Sequence, residues 1–394
     1  MLPGFDDQLR TVLDELQGSN RYRSCPEIVS RSHVSIRLAD SLPLVSFSSN
    51  DYLGLSIHPA VLQAAATTLS GGLSAGASRL VSGDHPAHRD LEYNLAQYLG
   101  RPAALLFPTG YQANLGVLTA LLGPGDVVVS DALNHASLID GCRLSKADIV
   151  VYPHADVQAA ELALTNVDPN RRKLLVTESV FSMDGDVAPV RRLSEVCQKA
   201  GAAFVVDEAH ALGLLGPGGR GICAQERVQP DVLIGTLGKA FGASGGFVVG
   251  SQILRAYLVN RARTFIYTTG LPPAIAAAAA QALRIINSAE GEDLRGMLAS
   301  RVSQLHRGLE MIGPSTPIVP WVLGTDVAAL AASSALRAAG LFVQAIRPPT
   351  VPEGTARLRI TLSSKHTADN VQRLLQAIGH LEVCAPHLVE KPRK

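Results

Sequence analysis

Between about residues 60 and 250, apolar runs of strand length alternate with segments of helical period. The runs are AALLF (103–107), DVVVS (126–130), DIVVY (148–152), KLLVTES (173–179), AAFVVD (202–207), DVLIGT (231–236) and GGFVVG (245–250). Helix-like segments such as YQANLGVLTALL (111–122) and RRLSEVCQKAG (191–201) stand between them. The runs are rich in Val, Ile and Leu and show no polar alternation, as expected of strands buried on both faces. Strands of this kind interleaved with helices predict an α/β fold with a mainly parallel sheet covered by helices. We assign this large domain to residues 50–287.

The flanks read differently. Leu9, Val12, Leu13 and Leu16 share one helical face over residues 5–17, and the strand-like pieces HVSIRL and LVSFSS follow. Residues 1–49 therefore read as an N-terminal arm. After Pro272-Pro273 the pattern is helical to about 312. It then becomes mixed through IVPWVLG, a helix near 326–339, LFVQAIRPPTVPEGTARLRITLSS and a last helix near 367–381. Residues 288–394 read as a smaller α+β C-terminal domain.

Composition narrows the class. At 47% apolar and 18% charged residues, the chain can build a core and is not generally disordered. A net charge of +1 offers no footprint for nucleic acid. The five cysteines form no C-x-x-C pair, so neither a zinc ribbon nor a disulfide framework is expected, and a reducing compartment fits. The opening MLPGFDDQLRTVLDELQG lacks the basic-then-apolar run of a signal peptide. The stretch LPPAIAAAAAQALRII (271–286) is broken by Gln281 and Arg284 and falls short of the ~20 apolar residues of a membrane span. A soluble cytoplasmic protein with no membrane partner is the expectation.

In doubly wound sheets the ligand crevice lies outside the carboxyl ends of the strands. Three polar clusters end strands there: Asp207-Glu208-Ala209-His210, Thr236-Leu237-Gly238-Lys239, and Ser179-Val180-Phe181-Ser182-Met183-Asp184-Gly185. Any one of them is as readily a cap or a loop contact; all three together are not. Asp207 closes an apolar strand, so it is expected to be buried and to need a partner. Lys239 stands among small residues in GTLGKAFGASGG, where an amine is lightly packed and can act as a nucleophile. The plain alternative is an Asp207–Lys239 salt bridge. Pyridoxal phosphate explains both residues: it takes a lysine as covalent anchor and an acid at its pyridine nitrogen. Thr109-Gly110-Tyr111 opens the helix after AALLF, and the free N–H groups of a helix start suit a phosphate. His135, just past the strand ending at Ser130, could stack on a flat ring. Ser182 and His210 could bond its phenolic oxygen.

Other matches carry less. Gly72-Leu73-Ser74-Ala75-Gly76 fits G-x-S-x-G, but a helix-like segment precedes it where a strand is required. Gly216-Pro217-Gly218-Gly219-Arg220-Gly221 fits G-x-G-x-x-G without a buried strand before it or a good helix after it. Both read as turns. His85-x-x-His88 has no evident third ligand, so no metal is assigned.

Taken together, FSSNDYLGLS, the Gly/Ser-rich stretch at 71–83, NHASLIDG, TESVFSMDGD, VDEAHALGLLGPGGRG, TLGKAFG and IRPPTVPEGTARLRITLSSKHT resemble the α-oxoamine synthases, within the fold-type I pyridoxal-phosphate enzymes. The likeness runs from about Phe47 to Ala368, and IRPPTVP is most similar to the oxononanoate-forming branch. One departure is Ser74-Ala75-Gly76-Ala77-Ser78-Arg79, where relatives often carry more glycine. The resemblance implies the following. Lys239 anchors the cofactor, Asp207 pairs with its pyridine nitrogen and His135 stacks on its ring. Ser182 and His210 contact the ring oxygen, Gly110 and Tyr111 line the crevice, and Thr236 meets the phosphate. Thr268 and Thr269 reach a phosphate across a homodimer interface. Arg359 clamps the amino-acid carboxylate, while Asn50 and Thr350 face substrate. Arg23, with Arg21 as the alternative, meets the far end of the acyl chain. The implied reaction is the decarboxylating condensation of L-alanine with a pimeloyl thioester, on coenzyme A or an acyl carrier protein, in biotin biosynthesis. Another α-oxoamine synthase (glycine C-acetyltransferase-like), a fold-type I aminotransferase or a non-catalytic protein of the same fold are the rivals.

Overall fold

The computed structural model describes residues 4–39, 41–313 and 315–384. The chain divides into two compact units. One holds residues 50–182 and 186–297; the other holds the described residues up to 49, residues 183–185 and those from 298 onward.

The first unit is built on a seven-stranded sheet. Its strands are β1 (Ala103–Phe107), β2 (Val127–Asp131), β3 (Asp148–Tyr152), β4 (Lys173–Glu178), β5 (Ala203–Asp207), β6 (Val232–Thr236) and β7 (Gly246–Gly250). Their spatial order is β1-β7-β6-β5-β4-β2-β3. β2 lies parallel to β3 and β4, β4 to β5, and β5 to β6; β7 alone runs antiparallel, to both β6 and β1. The parallel strands therefore bring Asp131, Glu178, Asp207 and Thr236 to one edge.

Local chemistry starts and stops the helices between the strands. Thr109 Oγ1 accepts from Gln112 N at the head of Gly110–Leu121, and Asp156 accepts from Gln158 N and Ala159 N at the head of Val157–Thr165. Gly201, at φ 63°, ends Val190–Ala200 in the left-handed conformation that glycine adopts without strain. Leu105, Phe107, Val128, Val176, Val205, Ile234 and Val248 pack with Ala113, Val117 and Leu118 of helix Gly110–Leu121. Each large side chain so buried contributes roughly 1.5–3 kcal/mol.

One strand departs from the sequence expectation. DIVVY reads as buried on both faces, yet Asp148, Ile149, Val150 and Val151 are exposed and only Tyr152 is buried. β3 is an edge strand with β2 as its neighbour. An apolar run reports β character and cannot report edge position.

The second unit carries helix Phe5–Gly18, a four-stranded sheet (Ile28–Ser32, Ser35–Leu38, Leu44–Ser46, Leu341–Phe342) and a three-stranded sheet (Ile318–Gly324, Ala356–Thr361, Ala345–Ile346). Leu341 and Phe342 pair in parallel with Val45 and Ser46, which knits the arm to the C-terminal part of this unit. Among the described residues, no helix is long and apolar enough to cross a membrane.

Candidate active site

Register builds the centre of the site. Glu178 on β4 pairs with Asp207 on β5, so two buried carboxylates stand side by side. Asp207 Oδ2 accepts from Asn114 Nδ2 at 2.8 Å, and its Oδ1 accepts from Ala209 N at 2.8 Å. Asn114 comes from the helix that follows β1, and its amide also donates to Ser137 Oγ at 2.8 Å. Glu178 Oε1 accepts from His135 N at 2.6 Å. Burial, and then the charge of Asp207, push the Glu178 carboxyl well above the usual carboxylate range, while the charge of Lys239 pulls it back. Glu178, Asp207 and Lys239 thus lie within one another's field.

His135 joins the same field. It caps helix Ala136–Ser145, with its Nδ1 accepting from Ser137 N at 3.2 Å and lying 2.7 Å from Ser137 Oγ. An accepting Nδ1 puts the proton of the neutral ring on Nε2. Burial lowers the imidazole pKa, Asp207 opposes this, and Lys239 reinforces it. The Tyr111 ring meets His135 edge-on, with centroids 6.5 Å apart, and the Tyr111 hydroxyl donates to Asp140.

A cradle lies beside these groups. A Cβ on Gly246 would come within 2.6 Å of Thr109 O and Gly110 Cα, so only glycine lets β7 approach the helix start this closely. A Cβ on Gly110 would lie 3.3 Å from Thr236 Oγ1. The Thr236 hydroxyl donates to Gly245 O at 3.0 Å and accepts from Gly238 N at 3.2 Å. Thr268 Oγ1 is 3.5 Å from Gln112 Nε2 of the same helix, and Thr269 is exposed. Lys239 is half-buried in the turn after β6, closed by Gly242 N donating to Lys239 O at 2.9 Å. His210 Nδ1 lies 2.6 Å from the hydroxyl of the buried Tyr52, which also donates to Asn50 Oδ1 at 3.4 Å. Ser182 is half-buried in the hairpin closed by Val180 and Val187.

The other predicted residues belong to the second unit. Arg359 is buried on strand Ala356–Thr361 and donates to Thr361 Oγ1 at 3.0 Å. Arg21 is held by Asp326 at 3.1 Å and Glu353 at 2.5 Å, whereas Arg23 donates to Pro348 O at 3.0 Å. Thr350 is exposed, in the turn where its N–H donates to Arg347 O at 3.1 Å.

The model of the aminotransferase class I and II family matches residues 43–378. A curated 8-amino-7-oxononanoate synthase from Anaeromyxobacter sp. (strain K) is 51% identical over 389 residues, 96% of each chain. The chain belongs to the 8-amino-7-oxononanoate synthase family. Solved structures of two enzymes share the fold. A serine palmitoyltransferase from S. paucimobilis, with bound PLP, superposes at a TM-score of 0.90 with 31% identity over 97% of this chain and 98% of that one. An 8-amino-7-oxononanoate synthase from Francisella tularensis superposes at 0.75 with 27% identity over 87% of this chain and 99% of that one.

The residues present fit the cofactor of such a family. Asn114 Nδ2 donates to Asp207 Oδ2 and so holds that carboxylate in place, while Asn114 Oδ1 is buried without a hydrogen-bond partner. Together, the amine, carboxylate, imidazole, helix-start N–H groups and threonine hydroxyl make a donor set suited to a phosphorylated pyridine aldehyde. Among the described residues no group of His, Cys, Asp and Glu could hold a metal ion. Sequence reasoning missed Asn114, Glu178 and Tyr52. Asn114 did leave a signal, as an amide set between Ala113 and Leu115 in a helix of mostly apolar residues. Glu178 and Tyr52 left none stronger than their place beside a motif.

Proposed function

We propose that this chain condenses L-alanine with a pimeloyl thioester, releasing CO2 and the free thiol carrier and giving 8-amino-7-oxononanoate for biotin biosynthesis. The observation that carries the reading is the convergence of Lys239, Asp207 and His135 in one electrostatic field at the carboxyl edge of the sheet. Membership in the family supports it. Pyridoxal phosphate, when bound, supplies the electron sink for the carbanion at the alanine Cα.

The residues of the chain do the rest. Lys239 would anchor the cofactor through Nζ, and its free amine would be the base for the proton on the alanine Cα. Asp207, oriented by Asn114 and Ala209, keeps the pyridine nitrogen protonated. His135, held by Ser137, would lie against the ring. Ser182 and His210 bond the ring oxygen. Thr236 and the N–H groups of Gly110 and Tyr111 take the phosphate, joined by Thr268 and Thr269 of a second copy in a homodimer. Arg359 clamps the alanine carboxylate in bidentate fashion, and Asn50 and Thr350 flank the substrates. Arg23 meets the far carboxylate of the acyl chain, because Arg21 is already paired with Asp326 and Glu353. Coenzyme A or an acyl carrier protein delivers the acyl group, in the cytoplasm.

Two measurements test this. CO2 release should require alanine and the pimeloyl thioester together, and Lys239→Ala should abolish both release and the visible absorption band. Conversion of the cofactor to its amine form by an amino acid alone, without CO2, would instead establish an aminotransferase.

A further inference from the structure

A charge cluster outside the proposed contacts joins two of the loops that carry them. His154, two residues past β3, has its Nδ1 2.9 Å from Asp131 Oδ1 and its Nε2 2.7 Å from Asp186 Oδ2. Ionised carboxylates only accept, so a ring that faces one with each nitrogen donates twice and is an imidazolium. The hydrogen bonds to Asp131 and Asp186 raise its pKa to about 10 in spite of burial. The Phe181 ring stands edge-on to it at 4.3 Å between centroids. The neighbouring Tyr152 phenol is buried and pushed above its usual range, so it stays neutral.

Each carboxylate is fixed to a different loop. Asp131 ends β2 and also accepts from Leu133 N and Ala155 N, both at 2.9 Å. The chain then passes through Asn134 to His135. Asn134 is pinned in turn, donating to Ser130 Oγ and Val176 O at 2.9 Å. Asp186 stands on one stem of the 180–187 hairpin, and its carbonyl accepts from Phe181 N at 3.1 Å across that hairpin. The other stem carries Ser182.

We propose that His154 is a positioning residue, clamping the Ser182 hairpin to the turn that leads to His135 and so setting both side chains around the cofactor. The proposal rests on the roles given above to His135 and Ser182. Glutamine carries no charge, so it leaves the buried Asp131 and the half-buried Asp186 without their charged partner.

The test titrates pyridoxal phosphate into the full chain and reads its dissociation constant for wild type, His154→Gln, Ser182→Ala and the double variant. His154→Gln should weaken binding by about tenfold in the wild-type background and much less in the Ser182→Ala background, the non-additivity of residues acting through one another. Asp186→Ala, which removes the acceptor and so opens the same clamp from the other side, should behave alike and gives a second chance if one variant fails to fold. In wild type, NMR of the His154 ring should show it protonated at pH 8. Equal losses in both backgrounds, or a neutral ring at pH 8, would overturn the proposal. A loss for Ser182→Ala with none for His154→Gln would overturn it while leaving the Ser182 role intact. No loss for Ser182→Ala would overturn that role and the clamp with it.

Discussion

His366 and the strand-end cluster are the polar centres of the two units, and they are built on different principles: His366 is buried, whereas the cluster joins the buried Glu178 and Asp207 to the half-buried Lys239 and the exposed His135. His366 lies face to face with Phe47, with centroids 4.3 Å apart and planes 6° from parallel. Its Nδ1 accepts from Ser363 N at 2.9 Å, and its Nε2 donates to Ser46 O at 3.0 Å. Both nitrogens meet neutral backbone groups, so a single neutral tautomer is satisfied, and burial holds the pKa down to about 4. At the edge of the seven-stranded sheet, by contrast, Glu178, Asp207, His135 and Lys239 act on one another as charges. Glu178 is pushed up and His135 down. The first arrangement closes a fold; the second sets carboxylates, an imidazole and an amine in one another's field, where each shifts the proton affinity of its neighbours.

Four substitutions would break or sharpen that contrast. The largest effect should come from Asp207→Asn, which keeps the shape and removes the charge. Turnover of alanine and thioester should fall on the order of 10³-fold, with the protein still folded by circular dichroism. A small loss would remove Asp207 from the chemistry.

His366→Leu should do the converse. It strands Ser363 N–H and Ser46 C=O in a buried setting and should cost about 2 kcal/mol of stability at pH 8, read by denaturant unfolding, with activity per folded molecule unchanged. The pH dependence has a definite sign. The folded ring titrates at about 4, below an unfolded histidine at about 6.5. The unfolded chain therefore takes up the proton first. The contribution of His366 is present above about 6.5 and is lost as the pH falls toward 4. The leucine variant should lack that slope; an identical acid profile in both proteins would refute the neutral-ring assignment.

The arm arginines should give the smallest effects and divide the second unit itself. Arg23→Gln should raise KM for the thioester by about tenfold, the size of one lost charged contact, with KM for alanine unmoved. Arg21→Gln should leave both KM values unchanged and lower the thermal midpoint only slightly, because its pair with Glu353 is exposed and its pair with Asp326 is only part-buried. Reversed results would assign the acyl end to Arg21.

Much of this was legible along the chain. Seven apolar runs became the seven strands, because Val, Ile and Leu favour extended backbone on a sheet, buried in six of the strands and mostly exposed in β3. Asp207, Thr236 and Lys239 could be singled out because parallel strands deliver their last residues to one edge. Sequence patterning therefore determined the α/β class and the strand set, and it marked out candidate residues at the strand ends, because these follow from local composition and chain direction. It could not place β3 at the sheet edge, set Glu178 beside Asp207, turn Asn114 toward that carboxylate, or give His154 a pKa near 10 and His366 one near 4. Those were decided by tertiary structure alone, since a side chain's charge state depends on the partners that long-range folding brings within hydrogen-bond reach, and sequence neighbours do not name them.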